Sequence, residues 1–277
     1  MNHQTLIPPG RDLGPDDPDY RHFSTLDRKA LQGRWSSEVG REIVSAWKTA
    51  GFNKSAIQVG KLNGKLDLRG IPLPNENLRC QDLSDCDLFA ADLRRADLYN
   101  ADLRRSYLSE SNIEGTTLSW VKVSGTLMDN VKFDRDTNLV GIDLNGINTN
   151  FAFHLLAEAR DQQRIAELKE RHPYFAKLLA AMCDYGRSLW RWSTWTIGTI
   201  LLFGIVFSAF PWLLHHPDVV THPSDGLYFS VVTFTTLGYG DLFPACGLAK
   251  ALVCVEVILG YLMGGLFIAI LTKRVLG

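Results

Sequence analysis

Residues 91–108 read ADLRRADLYNADLRRSYL, and a leucine returns in this stretch at every fifth position. The period extends from Leu68 to Phe133. Every fifth position over that range is apolar: Leu68, Leu73, Leu78, Leu83, Leu88, Leu93, Leu98, Leu103, Leu108, Ile113, Leu118, Val123, Met128 and Phe133. Neither the 3.6-residue period of a helix nor the two-residue period of a strand keeps a spacing of five on one face. A solenoid does, because each short repeat forms one side of a coil and turns its apolar residues inward.

Small side chains form a second set that we expect to point inward. They precede several of the apolar positions by two residues: Cys86, Ala91, Ala96, Ala101, Ser106, Ser111 and Thr116. The units in AADLRRADLYNADLRR, residues 90–105, resemble the pentapeptide-repeat family, whose units read A-(D/N)-L-x-x. The resemblance implies a right-handed parallel β-helix with four repeats in each coil. We place it at residues 61–150, because the register slips by one residue after Phe133 and Leu144 then resumes the period for one step, which we take as the end of the solenoid.

Residues 1–60 are predicted to form an N-terminal arm and a capping helix. The first 34 residues are rich in proline, aspartate and arginine, which favours a disordered or loosely attached arm. Trp35, Val39, Ile43 and Trp47 then recur every four residues, which predicts one helix that ends near Gly51. Such a helix would cover the open end of the solenoid.

Residues 151–188 have a helical pattern and are predicted to form a linker. Pro173 interrupts the pattern, so we expect two helices. The second has Tyr174, Leu178 and Met182 along one side and leads directly into an apolar region. We expect it to lie on a membrane surface.

Charge nearly disappears from the last third of the chain. From residue 188 onward the charged side chains are Arg191, Asp218, Asp225, Asp241, Lys250, Glu256, Lys273 and Arg274. Trp195–Leu214 is a run of twenty uncharged residues, and Ala251–Thr272 carries one charge, at Glu256. Each run is long enough to cross a bilayer as a helix. The chain therefore combines a polar part with an all-α membrane part.

We place the two-transmembrane domain at residues 189–277, with spans at about 192–214 and 249–273. Lysines and arginines precede the first span and follow the second, which predicts that both termini are cytoplasmic. No secretory signal is visible in the first thirty residues. We expect a plasma membrane protein of the bacterial inner membrane, with Trp190, Trp192 and Trp195 at the inner interface.

The segment TTLGYGDLFP, residues 235–244, lies between the two spans. Irregular backbone at membrane depth is tolerated only where it lines a watery path or is buried in protein. TLGYG, residues 236–240, resembles the TVGYG selectivity filter of potassium channels. The resemblance extends from Leu189 to the end of the chain and implies a two-transmembrane potassium channel.

This resemblance implies roles for individual residues. Backbone oxygens of Thr236, Leu237, Gly238 and Tyr239 would bind dehydrated K⁺, which is the permeant ion and not a cofactor. Gly238 and Gly240 would supply the backbone angles that turn successive carbonyls the same way.

A short pore helix is expected at residues 225–235, with Ser224 as its N-cap. Its partially negative C-terminal end would favour a cation.

Residues outside the filter complete the implied channel. Asp241 would lie at the outer mouth, and Gly260 and Gly264 would form the gating hinge of the second span. Val232 and Phe229 stand where relatives carry polar partners for the filter aspartate. We therefore expect Asp241 to lack those partners.

Two further sites invite functional hypotheses. Glu256 is an ionisable residue within a span, which indicates either a structural bond to backbone behind the filter or a regulatory role in gating or proton sensing. His215, His216 and His222 cluster in the outer loop and could bind Zn²⁺ or sense pH, although solvated loop histidines are commoner.

Several function classes are disfavoured. The glycines near Tyr239 lack the third glycine and the strand-helix unit of a nucleotide-binding loop. We expect a solvated surface at Arg94, Arg95, Arg104 and Arg105, and no nucleic-acid partner. The sequence contains no recognisable pair of nucleophile and base and no cluster of metal ligands, so we do not expect an enzyme. The five cysteines contain no C-x-x-C pair, which is typical of reduced thiols.

The sequence thus predicts a potassium-selective channel. One chain supplies one filter segment, so we expect a homotetramer embedded in membrane lipid. We expect no voltage sensor of the usual kind, because neither span is rich in arginine. We expect gating to be controlled by an unknown cytosolic ligand or protein that binds the repeats. The alternative is a membrane-anchored interaction scaffold with a vestigial pore.

Overall fold

The computed structural model describes residues 5–143, 153–215 and 223–276. The chain divides into two compact units, Met1–Glu167 and Leu168–Gly277. The helices are α1 (Tyr20–Ser24), α2 (Arg28–Gly33), α3 (Glu38–Thr49), α4 (Phe153–Arg171), α5 (Pro173–Cys183), α6 (Leu189–Ala209), α7 (Pro223–Phe234) and α8 (Gly247–Leu276). The short strands are β1 (Asp12–Leu13), β2 (Lys61–Leu62), β3 (Lys65–Asp67), β4 (Cys86–Asp87), β5 (Leu214–His215) and β6 (Phe243–Pro244).

Parallel bridges between residues twenty apart define the coils of the first unit. Pro72 pairs with Asp92, and Asp92 pairs in turn with Asn112. The same spacing recurs along the repeat until Thr117, which pairs with Asn138 because one residue is inserted after Phe133. Four pentapeptides therefore form one coil, and pairing continues past the slip after Phe133, while residues 144–150 of the predicted solenoid lie outside the described residues.

The apolar positions predicted to point inward form the core of this unit. All are buried from Leu68 to Met128, and Phe133 packs against the core while partly buried. The small residues that precede them are buried as well, from Cys86 to Thr116. Five-residue periodicity thus identified the inner faces of the coil, because each repeat places its central leucine at the same point of one side.

The aspartates of the repeat have a structural role in its turns. The side chain of Asp92 accepts a hydrogen bond from the amide of Arg94 at 3.2 Å, and Asp97 accepts from that of Tyr99 at 3.0 Å. Short polar side chains that bond the backbone two residues on stabilise tight turns. The A-D-L unit is therefore a turn signal as well as a core signal.

The N-terminal arm is ordered, so the prediction of a loosely attached segment at residues 1–34 is wrong for the described part. Ile7, Leu13 and Phe23 are buried with Leu62 in a small core. β1 pairs in parallel with β2, which anchors the arm to the start of the repeats. Its apolar residues are few but converge on one site, so composition alone underestimated how much surface the arm buries.

The capping helix begins later than predicted. Ser37 is its N-cap and accepts a hydrogen bond from the amide of Gly40, so Trp35 lies before the helix. Val39 is 59% exposed, whereas Val44 and Trp47 are buried against the first coil. Ile43 also packs against this core while partly buried, so the helix covers the apolar end of the coil as predicted, and Val39 alone among the four predicted residues points away.

A buried ionic cluster joins this cap to the repeats. Asp67 accepts hydrogen bonds from both terminal nitrogens of Arg34, at 2.7 and 2.8 Å, and from Arg69 Nε at 2.7 Å. Burial raises the pKa of Asp67, but the two guanidinium groups outweigh it and lower the pKa to about 2. The carboxylate therefore stays ionised and links cap and coil.

The first part of α4 closes the other end of the coil. Leu155, Leu156 and Ala159 join the apolar core. The Gln162 side chain accepts from the amide of Leu139 and donates to the carbonyl of Thr137, both at 2.7 Å. A segment predicted as a linker thus caps the last backbone groups of the solenoid.

In the second unit, the described residues contain two helices long and apolar enough to cross a membrane, α6 and Gly247–Thr272 of α8. α6 ends at Ala209, shortly before Pro211, which lacks the amide that a continuing helix needs. β5 and β6 pair antiparallel between these helices. The short helix α7 leads into the glycine-rich segment.

Candidate functional site

The residues after α7 have an alternating backbone conformation. Thr236, Gly238 and Gly240 have positive φ angles of 60°, 54° and 79°, whereas Leu237 and Tyr239 do not. Alternation of left-handed and ordinary residues lets successive carbonyls face the same side of the chain. A β-branched residue such as Thr236 is rarely left-handed, so this conformation is strained. We call Thr236–Gly240, which the sequence predicts to be a selectivity filter, the filter segment.

α7 fixes where the filter segment begins. The amides of Thr235 and Leu237 still donate to the carbonyls of Val231 and Val232, at 3.0 and 2.9 Å. The C-terminal end of a helix carries partial negative charge, which favours a cation near it. These two hydrogen bonds therefore join the end of α7 to the start of the filter segment.

The filter segment is open to its surroundings in a single chain. Leu237 and Tyr239 are 60% and 68% exposed. A Cβ atom added at Gly238 or Gly240 would meet nothing within 4 Å. None of the described residues of the chain therefore packs closely around Gly238 or Gly240.

Asp241 has a partner that the sequence did not reveal. Tyr228 Oη donates to Asp241 Oδ2 at 2.7 Å, and the amide of Leu242 donates to Oδ1 at 3.1 Å. Val232 and Phe229 are apolar and buried, so the partners that relatives carry at these two positions are not available here. Tyr228, the residue before Phe229, supplies a different donor to Asp241.

Glu256 is buried and contacts the helix that precedes the filter segment. Ser230 Oγ of α7 lies within hydrogen-bond distance of Glu256 Oε1 and of the carbonyl oxygen of Ile200 on α6, the latter at 2.8 Å. The expected bond to backbone is therefore indirect, since a serine hydroxyl lies between. Ser230 was not identified from sequence because a serine in a short helix has no distinguishing pattern.

The number of protons available between Ser230, Ile200 and Glu256 bears on whether the Glu256 carboxyl group is protonated. The Ser230 hydroxyl has one proton but two acceptor neighbours. If it donates to Ile200, a hydrogen bond to Glu256 requires a proton on the carboxyl group. Oε2 is buried and has no hydrogen-bond partner among the described residues, and this burial costs less for a neutral carboxyl group than for a charged one.

The predicted hinge glycines have different surroundings. A Cβ atom at Gly260 would collide with the carbonyl oxygen of Phe234, whereas one at Gly264 would meet nothing within 4 Å. Gly260 is therefore required for close packing of α8 against the end of α7. Gly264 faces no such constraint within its own chain.

The other candidate sites are described in part. His215 packs against Phe243 with ring centroids 5.0 Å apart, and His216 and His222 lie outside the described residues. No group of three metal-binding side chains occurs among the residues that the structure describes. Arg94, Arg104 and Arg105 pair with aspartates on the repeat surface.

Comparison with known proteins identifies both parts of the chain. Residues 189–276 match the family described as "Ion channel", and residues 82–133 match "Pentapeptide repeats" in eight copies. The chain is 51% identical over 49 residues to "Two pore potassium channel b" of Oryza sativa subsp. japonica, and 49% identical over 45 residues to "Two pore potassium channel a". These matches cover 18% and 16% of this chain but only 14% and 13% of the relatives' length.

Solved structures of pentapeptide-repeat proteins are also similar. Rfr23 from the cyanobacterium Cyanothece 51142 is 29% identical over 28% of this chain and 53% of its own, with a TM-score of 0.26. The protein alr5209 from Nostoc is 22% identical over 39% of this chain and 93% of its own, with a TM-score of 0.18. By the two family models, residues 82–133 of the chain carry pentapeptide repeats and residues 189–276 match an ion channel domain.

Proposed function

We propose that the chain is one subunit of a potassium-selective channel that conducts K⁺ passively. The alternating backbone of Thr236, Gly238 and Gly240, placed directly after α7, carries the proposal. Carbonyls turned to one side can replace the water around a dehydrated K⁺. The oxygens that bind K⁺ are the backbone oxygens of Thr236, Leu237, Gly238 and Tyr239. Both rice relatives are named as potassium channels, which supports K⁺ as the conducted ion.

The proposed assembly is a homotetramer with cyclic symmetry. A filter of the potassium-channel type needs four segments around one axis, and one chain contributes one. The exposure of Leu237 and Tyr239 supports this, since neighbouring subunits would cover side chains that their own chain leaves open. Membrane lipid would surround α6 and α8.

The proposed location is the bacterial inner (plasma) membrane, with both termini in the cytoplasm. The lysines and arginines before the first span and after the second support this orientation. The repeats would then be cytoplasmic, as a right-handed β-helix.

We also propose that the repeats regulate opening. They precede α6 along the chain, so a cytosolic ligand or protein that prefers one state of the repeats would act through the first span. Deletion of residues 1–150 should change open probability in planar-bilayer recordings. Unchanged open probability across pH, Ca²⁺ and nucleotide conditions would mean that the repeats only assemble the channel.

The main proposal is tested by K⁺ flux into liposomes that contain the full chain. Gly238→Ala places a Cβ atom at a left-handed position and should abolish flux. Gly198→Ala on α6 is the matched control, because its Cβ atom meets open space and its φ is ordinary. Absence of flux with the unaltered chain would overturn the channel proposal and favour the alternative, a membrane-anchored scaffold with a vestigial pore.

A further inference from the structure

Trp192, near the start of α6, contacts α8 beyond Gly260. Its indole Nε1 donates to the carbonyl oxygen of Met263 at 3.1 Å. Its ring stacks on Phe267 with centroids 4.6 Å apart. Met263 and Phe267 are one helical turn apart, so the indole covers one turn of α8.

Apolar residues of α6 and α7 share a core with the first part of α8, but the contacts nearest Gly260 differ on its two sides. Toward its N-terminus, Glu256 contacts Ser230 of α7, and Gly260 packs against Phe234 at the end of α7. Beyond Gly260, Met263 and Phe267 are held by Trp192 of α6. A change of angle in α8 after Gly260 must therefore either move Trp192 with it or break this contact.

α6 is in turn joined firmly to the preceding helix. Asp184, Tyr185 and Gly186 all have positive φ and form a tight turn between α5 and α6. Further along α6, Trp195 Nε1 donates to the carbonyl oxygen of Ala181 on α5 at 3.1 Å. Trp192 and Trp195 thus bind α6 to α8 and to α5, respectively.

We infer that Trp192 is the positioning residue through which α6 sets the angle of α8 beyond Gly260. This inference rests on the proposed channel function and names the contact by which movement of the first span changes opening. Trp192 does not touch the filter segment, so its role concerns the balance of open and closed states and not selectivity or conductance.

The test is single-channel recording of the full-length chain in planar bilayers with K⁺ as the only permeant cation. Trp192→Phe keeps an aromatic ring for stacking but removes the indole donor. The ratio of open to closed time should change at least threefold relative to the unaltered chain, with unitary conductance and K⁺/Na⁺ selectivity unchanged. Trp190→Phe is the matched control, because Trp190 is 78% exposed, and it should leave the ratio unaltered.

A second variant keeps the inference testable if Trp192→Phe does not assemble. Phe267→Leu removes the stacked ring and should change the same ratio in the same direction. Because both substitutions weaken one contact, the double variant should change the ratio by less than the product of the two single effects.

The outcomes separate the two proposals. A conducting channel in which Trp192→Phe and Phe267→Leu both behave like Trp190→Phe, or in which their effects multiply independently, would overturn the coupling role of Trp192. An unaltered chain that conducts no K⁺ would instead overturn the channel function on which the inference rests.

Discussion

Gly260 of α8 lies directly against the carbonyl oxygen of Phe234, the last residue of α7. The contact leaves no room for a side chain, so the residue expected to be a hinge is also a packing point. Phe234 immediately precedes the turn into the filter segment. The position of α8 and the position of the filter segment are therefore linked through one backbone atom.

Gly260→Ala should disturb the filter segment more than Gly264→Ala does. The added Cβ atom at Gly260 forces α8 and α7 apart, at a cost of about 1–3 kcal/mol for an overpacked site. We expect reduced K⁺ flux and a lower thermal stability of the detergent-solubilised assembly. Gly264→Ala, which meets open space in its own chain, should preserve stability and alter open probability only. Equal loss of stability in both variants would contradict a packing role specific to Gly260.

Tyr228→Phe should weaken the outer end of the filter segment. It removes the hydroxyl that donates to Asp241 Oδ2, while the ring remains. We expect a several-fold fall in K⁺ flux or in K⁺/Na⁺ selectivity, measured in liposomes under matched protein loading. Tyr174→Phe is a suitable control because Tyr174 is 86% exposed on α5. Identical flux in the two variants would show that the hydrogen bond to Asp241 does not support the filter segment.

Glu256→Gln should be tolerated far better than Glu256→Leu. The amide of glutamine can donate to Ser230 Oγ while Ser230 donates to Ile200, which reproduces the proton count of a neutral carboxyl group. Leucine loses the bond between α8 and α7, worth about 1 kcal/mol. The measurement is the thermal midpoint of the solubilised assembly. If glutamine destabilises as much as leucine, the carboxyl group is charged or has another essential partner.

Acid should unfold the repeats when Asp67 is protonated. Its pKa is lowered from an ordinary value of about 3.9 to about 2, so its stabilising contribution is complete above pH 4 and is lost as the pH falls toward 2. Asp67→Asn should remove this dependence and destabilise the repeats at pH 7 by about 3–5 kcal/mol, because two buried guanidinium groups lose their partner. Urea-dependent proteolysis of the full chain at pH 7 and pH 3 measures both effects.

Asp87→Asn supplies the comparison of opposite sign. Burial raises the pKa of Asp87 to about 6. The neutral carboxyl group therefore makes its full contribution to the free energy of unfolding below pH 4, and this contribution is lost as the pH rises through 6. Asparagine keeps the acceptor for the amide of Phe89 and should make the repeats more resistant to proteolysis at pH 7. A loss of resistance at pH 7 would contradict this sign.

Periodic and local patterns were readable from the sequence. The five-residue spacing from Leu68 to Met128 identified the core of the coil, since a repeat places equivalent residues in equivalent surroundings. The two apolar runs and the TLGYG segment were readable for a similar reason, since each consists of consecutive residues. The thickness of a bilayer sets the length that an apolar run needs to cross it. Helix ends were less well predicted, as the late start of α3 at Glu38 illustrates, because capping depends on one side chain such as Ser37.

Contacts between distant elements were decided only by the tertiary structure. No sequence pattern distinguishes Tyr228 from its neighbours as the donor to Asp241, or Trp192 from Trp190 as the residue that holds α8. The N-terminal arm was misjudged for the same reason, since Ile7, Leu13 and Phe23 are scattered in sequence but meet in one small core. Sequence alone determined the repeat and the two long apolar helices and predicted the filter segment, because each follows from residues close together in the chain. How those parts hold one another depends on which side chains meet across helices and coils, and only the fold brings them into contact.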